Sequence, residues 1–281
     1  MLSSGLRWHS KLVMRKPPVG SNQVAGLGRE MSKLVKKLRQ INESAAQPLG
    51  FKRTNILPSQ QMLLIMALPQ KDSVAWLAKA EVDAILIHSP DLEQGVQTLR
   101  QVANSVGDIP CGLWPEAMTE EGMKQLKEAG GDFLIFEAST APAILLQEKE
   151  LGKVLKVNLP QDEGLIDVIN QLPIEVVLLE IQRAGEVLTL ADLIYCQWLA
   201  DLVDKPLLVA TQQELTDKEI QSLWEAGVDG VVVEIEEKQL QERLTRLSQA
   251  LKALPPRRKR RGERRVMLTR LEQGSTMPEE I

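Results

Sequence analysis

Three charged residues lie in successive apolar runs of strand length. Glu137 ends one run, Lys156 lies within the next, and Glu180 ends the following one. Side chains alternate between the two faces of a strand, so each charge shares a face with the apolar residue two positions before it. The pattern predicts that all three charges point into the interior. A lysine beside carboxylates can act there as a Schiff-base nucleophile, or it can form an ion-pair network without catalysis.

The two carboxylates favour the ion-pair interpretation. A nucleophilic lysine needs a lowered pKa, which burial supplies, whereas neighbouring carboxylates stabilise the ammonium form and raise the pKa. We therefore expect Glu137 and Glu180 to keep Lys156 charged. Catalysis by these three residues is the alternative.

Polar residues at other strand ends extend the candidate site. His88 completes the candidate catalytic set, and the candidate ligand-binding residues are Glu116, Asn158, Thr211 and Glu234. The glutamates could hold Mg²⁺ or a cationic ligand, because hard cations take several oxygen ligands. The sequence has no Asp/Glu/His triplet at the spacing typical of a metal site. We therefore expect neither a metal nor a cofactor.

Eight strand-sized apolar runs must position these residues. They occupy residues 62–68, 83–88, 110–114, 132–137, 153–158, 175–180, 207–211 and 230–234. Helical periodicity covers residues 92–106, 120–128, 164–172, 190–203, 218–225 and 240–254, whereas residues 142–151 have room for only about two turns. This alternation predicts an α/β fold, a (β/α)8 TIM barrel of near-minimal size. A doubly wound open sheet is the alternative.

Three helix–strand joints share nearly the same sequence. Residues 79–83 read KAEVD, residues 128–132 read EAGGD, and residues 225–229 read EAGVD. The glycines suit a left-handed helix end, and the apolar run that follows suits a strand buried on both faces. The last joint, with its following glycine and β-branched residues, resembles the aldolase-type (β/α)8 superfamily. The resemblance covers residues 60–254 at fold level and matches no individual family; it implies a site at the carboxyl ends of the strands.

The segments after the last two predicted strands argue against phosphate. Many barrels bind phosphate there through glycine backbone N–H groups at a helix N-terminus. Here residues 211–214 read TQQE and residues 234–237 read EIEE, without glycine and with four acids. FMN, pyridoxal phosphate and sugar phosphates are therefore disfavoured. The short connections also predict no lid over the site.

Charge divides the chain into three predicted parts. Residues 1–53 carry eleven Lys/Arg against two acids, residues 54–254 fifteen against thirty-two, and residues 255–281 eight against four. The interpretation is a basic N-terminal arm, a barrel and a disordered basic tail. An amphipathic helix near residues 31–45 is expected to close the barrel's amino-terminal face, with membrane-surface or partner binding as the alternative.

The basic tail predicts a partner. Residues 257–265 contain seven Lys/Arg and one acid, which favours salt-dependent binding to nucleic acid or acidic lipid. Two distant cysteines and no apolar run of about 18 residues predict a cytoplasmic protein without a transmembrane segment, a transit peptide being the alternative. The leading hypothesis is a non-catalytic binding or scaffold module whose basic arms contact the partner. The alternative is a lyase or isomerase that acts on a small unphosphorylated substrate through the Lys–Glu site.

Overall fold

Eight parallel strands close into a barrel in chain order. A computed structural model describes residues 32–45, 60–69, 81–158, 163–181, 187–212, 214–234 and 240–256. The strands are β1 (Leu63–Pro69), β2 (Ala84–His88), β3 (Cys111–Trp114), β4 (Phe133–Glu137), β5 (Gly152–Val157), β6 (Val176–Ile181), β7 (Leu207–Thr211) and β8 (Gly230–Glu234). The closed barrel confirms the predicted TIM-barrel fold, and every strand end lies within one residue of its predicted position.

Seven α-helices accompany the strands within the described residues. They are α1 (Lys33–Ala45), α2 (Leu92–Val106), α3 (Glu120–Glu128), α4 (Glu163–Gln171), α5 (Leu190–Leu202), α6 (Asp217–Glu225) and α7 (Leu240–Lys252). The short fourth connection forms only a 3-10 helix, Ala143–Gln147. None of these described helices is both long and apolar enough to cross a membrane.

The aspartates of the three similar joints each accept backbone hydrogen bonds from another element. Asp83 accepts from the Leu64 N–H at 2.9 Å, and Asp229 accepts from the Leu207 N–H at 2.8 Å. The joint glycines Gly130 and Gly227 have φ values of 85° and 101°, the left-handed conformation predicted for them. These contacts tie the first and third joints to the start of a neighbouring strand, whereas the aspartate of the second joint bonds to helix α1.

Helix α1 closes the amino-terminal face of the barrel. Leu34, Val35 and Leu38 are at most 1% exposed and belong to the same apolar cluster as the inward side chains of the strands. Asp132, just before β4, caps the helix: its carboxylate accepts from the Ser32 hydroxyl at 2.7 Å and from the N–H groups of residues 33 and 34 at 2.7 and 3.0 Å. The predicted boundary between residues 53 and 54 therefore separates α1 from the strands whose inward side chains it contacts.

The interior alternates as the sequence predicted. Phe133, Ile135, Val154 and Leu178 face inward, and Gly112 leaves room for the Phe133 ring, which a Cβ atom at that position would overlap. The intervening strand residues pack against the outer helices. By the same alternation, the last inward residue of most strands is polar, and these residues form the carboxyl-terminal mouth of the barrel.

Candidate functional site

An ion-pair network lies at the carboxyl-terminal mouth of the barrel. The Lys156 Nζ lies 2.8 Å from Glu137 Oε1 and 2.6 Å from Glu180 Oε2. Strands β4, β5 and β6 are hydrogen-bonded neighbours, and Glu137 is the register partner of Lys156. The Lys156 side chain is 9% exposed, against 17% for Glu180 and 35% for Glu137. This geometry confirms the predicted contact, whereas the catalytic roles of these residues stay a prediction.

The network holds the lysine in its charged form. Burial acts to lower the pKa of Lys156, but the hydrogen bonds and charges of Glu137 and Glu180 outweigh it, and the pKa lies above its usual value. An amine in this state has no lone pair with which to attack a carbonyl. In the described arrangement Lys156 is therefore a fixed positive charge.

Two aromatic rings extend the network toward β2. The Lys156 Nζ lies 5.0 Å from the centroid of the Trp114 ring, within cation–π range. His88 stacks on Trp114 with centroids 4.6 Å apart and an interplanar angle of 24°. Trp114 is only 8% exposed. It packs between its two neighbours, and its remaining exposed part lines a cavity at the barrel mouth.

A cavity of about 450 Å³ opens at this mouth, which we call the mouth cavity. Four candidate residues line it from four different strands: His88, Glu180, Thr211 and Glu234. The exposed Gln212 also lines it and was not among the predicted site residues. Its position directly after β7, one residue beyond Thr211, is the sequence feature that could have predicted its place at the cavity. Hydroxyl, amide, imidazole and carboxylate groups thus surround one volume.

A second cavity of about 470 Å³ lies on the other side of the ion pairs, and we call it the outer cleft. Glu137, Lys156 and Asn158 line one part of it, and apolar residues of the 3-10 helix and α4 line the rest. Glu180 lines the mouth cavity, so the ion-pair network separates the two spaces. The candidate residues therefore divide between two cavities.

Glu116 is the candidate residue that joins neither group. It is exposed after β3 and lines neither of these two cavities. Within the described ranges, no three His, Cys, Asp or Glu side chains are arranged to hold a metal ion. Residues 213 and 235–239 lie outside the described residues. The expectation that no phosphate binds after β7 and β8 therefore stays a prediction from sequence.

The sequence matches no protein-family model and no curated protein. The solved structures similar to the chain include a mutant (E103A) tryptophan synthase α subunit from Pyrococcus furiosus, at 15% identity and a TM-score of 0.55, over 68% of this chain and 97% of that one. A tryptophan synthase chain from Mycobacterium tuberculosis matches at 13% identity and a TM-score of 0.58, over 80% of this chain and 98% of that one. These matches confirm the TIM-barrel fold. At such identities they carry no information about the reaction.

Proposed function

We propose that this protein binds a small, unphosphorylated, polar molecule in the mouth cavity. The supporting observation is a volume of about 450 Å³, bordered by Glu180, Thr211, Glu234 and His88, at the end of the barrel where such folds place their sites. This volume is within the usual range of small-molecule pockets, about 300–1,000 Å³. The polar groups come from different strands, so their spacing is set by the rigid barrel.

The charge of the mouth favours a cationic or neutral ligand. Lys156, the cation beside the cavity, already has two carboxylate partners, so it has little remaining charge to offer an anion. Glu234 adds a half-buried carboxylate that forms no ion pair with any described residue. A ligand with an amino group or several hydroxyls would match these oxygens, whereas a phosphate would meet repulsion.

Acid–base catalysis is the second candidate function. His88 and the two cavity-lining glutamates Glu180 and Glu234 face one volume from β2, β6 and β8, an arrangement that supports proton transfer on a bound substrate. Lys156 would take no covalent part in this reaction; its ion pair would hold the Glu180 carboxylate in place beside the substrate. This candidate keeps the lyase or isomerase class but replaces the Schiff base by proton transfer through His88 and the two glutamates. The similar tryptophan synthase chains show that this fold supports enzymes, among other proteins.

A ligand screen tests both candidates. Thermal-shift measurements on the full chain with amines, polyols, carboxylates and sugar phosphates should show stabilisation by members of the first two classes. Glu234→Gln should weaken that stabilisation, and the matched control Glu116→Gln, outside both cavities, should leave it unchanged. Stabilisation by phosphates alone would contradict the proposal. Turnover of a stabilising ligand, lost in His88→Gln while binding persists, would establish the catalytic candidate.

The basic tail supports a separate proposal about location and partner. Residues 257–265 lie outside the described residues, but their seven Lys/Arg would attract nucleic acid or acidic lipid. The acidic barrel would keep such a polyanion away from the mouth. We propose a cytoplasmic protein whose tail holds it near an anionic partner while the mouth binds its ligand.

A further inference from the structure

One sector of the barrel surface carries all the large exposed apolar side chains of the described residues. The sector comprises the 3-10 helix, α4, residue 187 and α5. Its members are 40% to 74% exposed: Ile144, Leu165, Val168, Val187, Leu190, Ile194 and Tyr195. We call this surface the apolar sector. Scattered single apolar residues are normal on a surface, whereas seven confined to consecutive elements indicate an interaction surface.

Helix α5 carries the most exposed of these apolar side chains. Its inner side is buried through Cys196, Leu199 and Ala200, as expected of a barrel helix. Its outer side carries the exposed polar residues Gln197 and Asp201, yet Leu190 and Ile194 are also 74% and 58% exposed there, one helical turn apart. Large apolar side chains that are grouped and this exposed usually mark a surface that another molecule covers. The outer face of α5 therefore lacks its cover in the isolated chain.

The same sector contains a recess. The fourth connection forms only a short 3-10 helix, and the outer cleft of about 470 Å³ lies between this helix and α4. Its apolar lining includes Leu145, Leu146, Leu165, Val168 and Ile169. The sector thus has apolar projections on α5 and an apolar recess beside α4.

We propose that the apolar sector is the interface of a homodimer, in which α5 of each copy inserts side chains into the outer cleft of the other. A two-fold interface is self-complementary, so projections and recess must lie on the same surface of one chain. That is the arrangement observed here. A second copy of the chain therefore supplies both the projecting side chains and the recess that such an interface needs.

The size of the sector is adequate. Helix α5 has 13 residues, which corresponds to about 20 Å. With α4 and the 3-10 helix beside it at spacings of roughly 10 Å, the surface approaches the ~800 Å² per partner of an ordinary stable interface. Glu163 and Asp167 on α4 are exposed carboxylates beside the apolar residues. They add like charges near the interface, so the dimer should tighten as salt screens them.

Sedimentation equilibrium on the full chain tests the proposal directly. A dimer is expected at micromolar concentrations, stronger at high salt than at low salt. Leu190→Glu and Ile194→Lys, at exposed positions, should each shift the protein to a monomer whose circular dichroism spectrum is still that of the folded barrel. Gln221→Lys, an exposed position on α6, is the matched control and should leave the dimer intact. A monomer at all concentrations, or a dimer that both α5 variants leave unchanged, would overturn the interface.

A cross-linking experiment locates the contact independently of stability. The chain has two cysteines, Cys111 and Cys196, and both are buried, so an introduced surface cysteine reacts alone. Copies carrying Leu190→Cys are mixed with copies carrying Ile144→Cys and oxidised. The mixed disulfide should form much faster than the one between Leu190→Cys and Gln221→Cys. Equal rates would refute the insertion of α5 into the cleft of a second copy. Equal rates are also the result expected if another part of the same chain covers the sector.

Discussion

Helix α1 should contribute a large share of the barrel's stability. Leu34, Val35 and Leu38 are at most 1% exposed and Ile41 is 8% exposed. Each buried aliphatic side chain contributes about 1.5–3 kcal/mol, so removing residues 1–53 removes roughly 6–12 kcal/mol of burial. Domains of this kind have a total stability of about 5–15 kcal/mol. We therefore expect a truncated protein of residues 54–254 to lose cooperative unfolding, contrary to the self-contained barrel that the domain division implies.

Point substitutions measure the same effect in a folded protein. Leu38→Ala leaves a cavity in the interior and should lower the free energy of unfolding by about 2–5 kcal/mol. For a domain of this size that corresponds to a melting temperature lower by roughly 4–20 °C. Asp132→Ala removes the cap of α1 and should cost about 0.5–2 kcal/mol. Urea denaturation followed by circular dichroism gives both values.

The control lies on the same helix. Arg39 is exposed, and Arg39→Ala should change the free energy of unfolding by no more than about 0.5 kcal/mol. If residues 54–254 melted at the temperature of the full chain, or if Leu38→Ala behaved like Arg39→Ala, α1 would be a passive attachment. The buried side chains of α1 would then contribute little to the stability of the barrel.

Further expectations concern charge and reactivity. Lys156→Met should leave two carboxylates without their partner and cost about 3 kcal/mol at neutral pH. Because the folded pKa of Lys156 is raised, its contribution to stability is complete below the unfolded pKa and should disappear as the pH rises through the folded pKa. Urea titrations of both proteins at increasing alkaline pH would show this loss. Burial raises the thiol pKa of Cys111 and Cys196 to about 12, so a thiol reagent at pH 8 should label them only after unfolding, and rapid labelling of the native chain would contradict that burial. The tail should bind a fluorescent oligonucleotide with an affinity that falls by about 0.9 log units per log unit of salt for each phosphate contacted; equal binding by a chain that ends at residue 254 would exclude this role.

The fold and the ion pairs were predictable because both depend on local patterns. Strand alternation alone placed Glu137, Lys156 and Glu180 on one face, and neighbouring strands brought them together. The two cavities were not predictable, because the volume of the outer cleft depends on how far the outer helices stand from the sheet and that of the mouth cavity on how the side chains at the strand ends pack. The stacking of His88 on Trp114 depends in the same way on the register between β2 and β3, which apolar periodicity does not specify.

The cap of α1 also affects the order of events during synthesis. Ser32 and its acceptor Asp132 are 100 positions apart in the chain. At about 5–20 residues per second, the ribosome produces the helix roughly 5–20 s before the carboxylate that holds it. During that time the barrel is incomplete, so the apolar face of α1 has no amino-terminal barrel face to pack against. A chaperone that binds nascent apolar helices would meet α1 first, and slower translation of residues 46–131 should increase aggregation of the new chain.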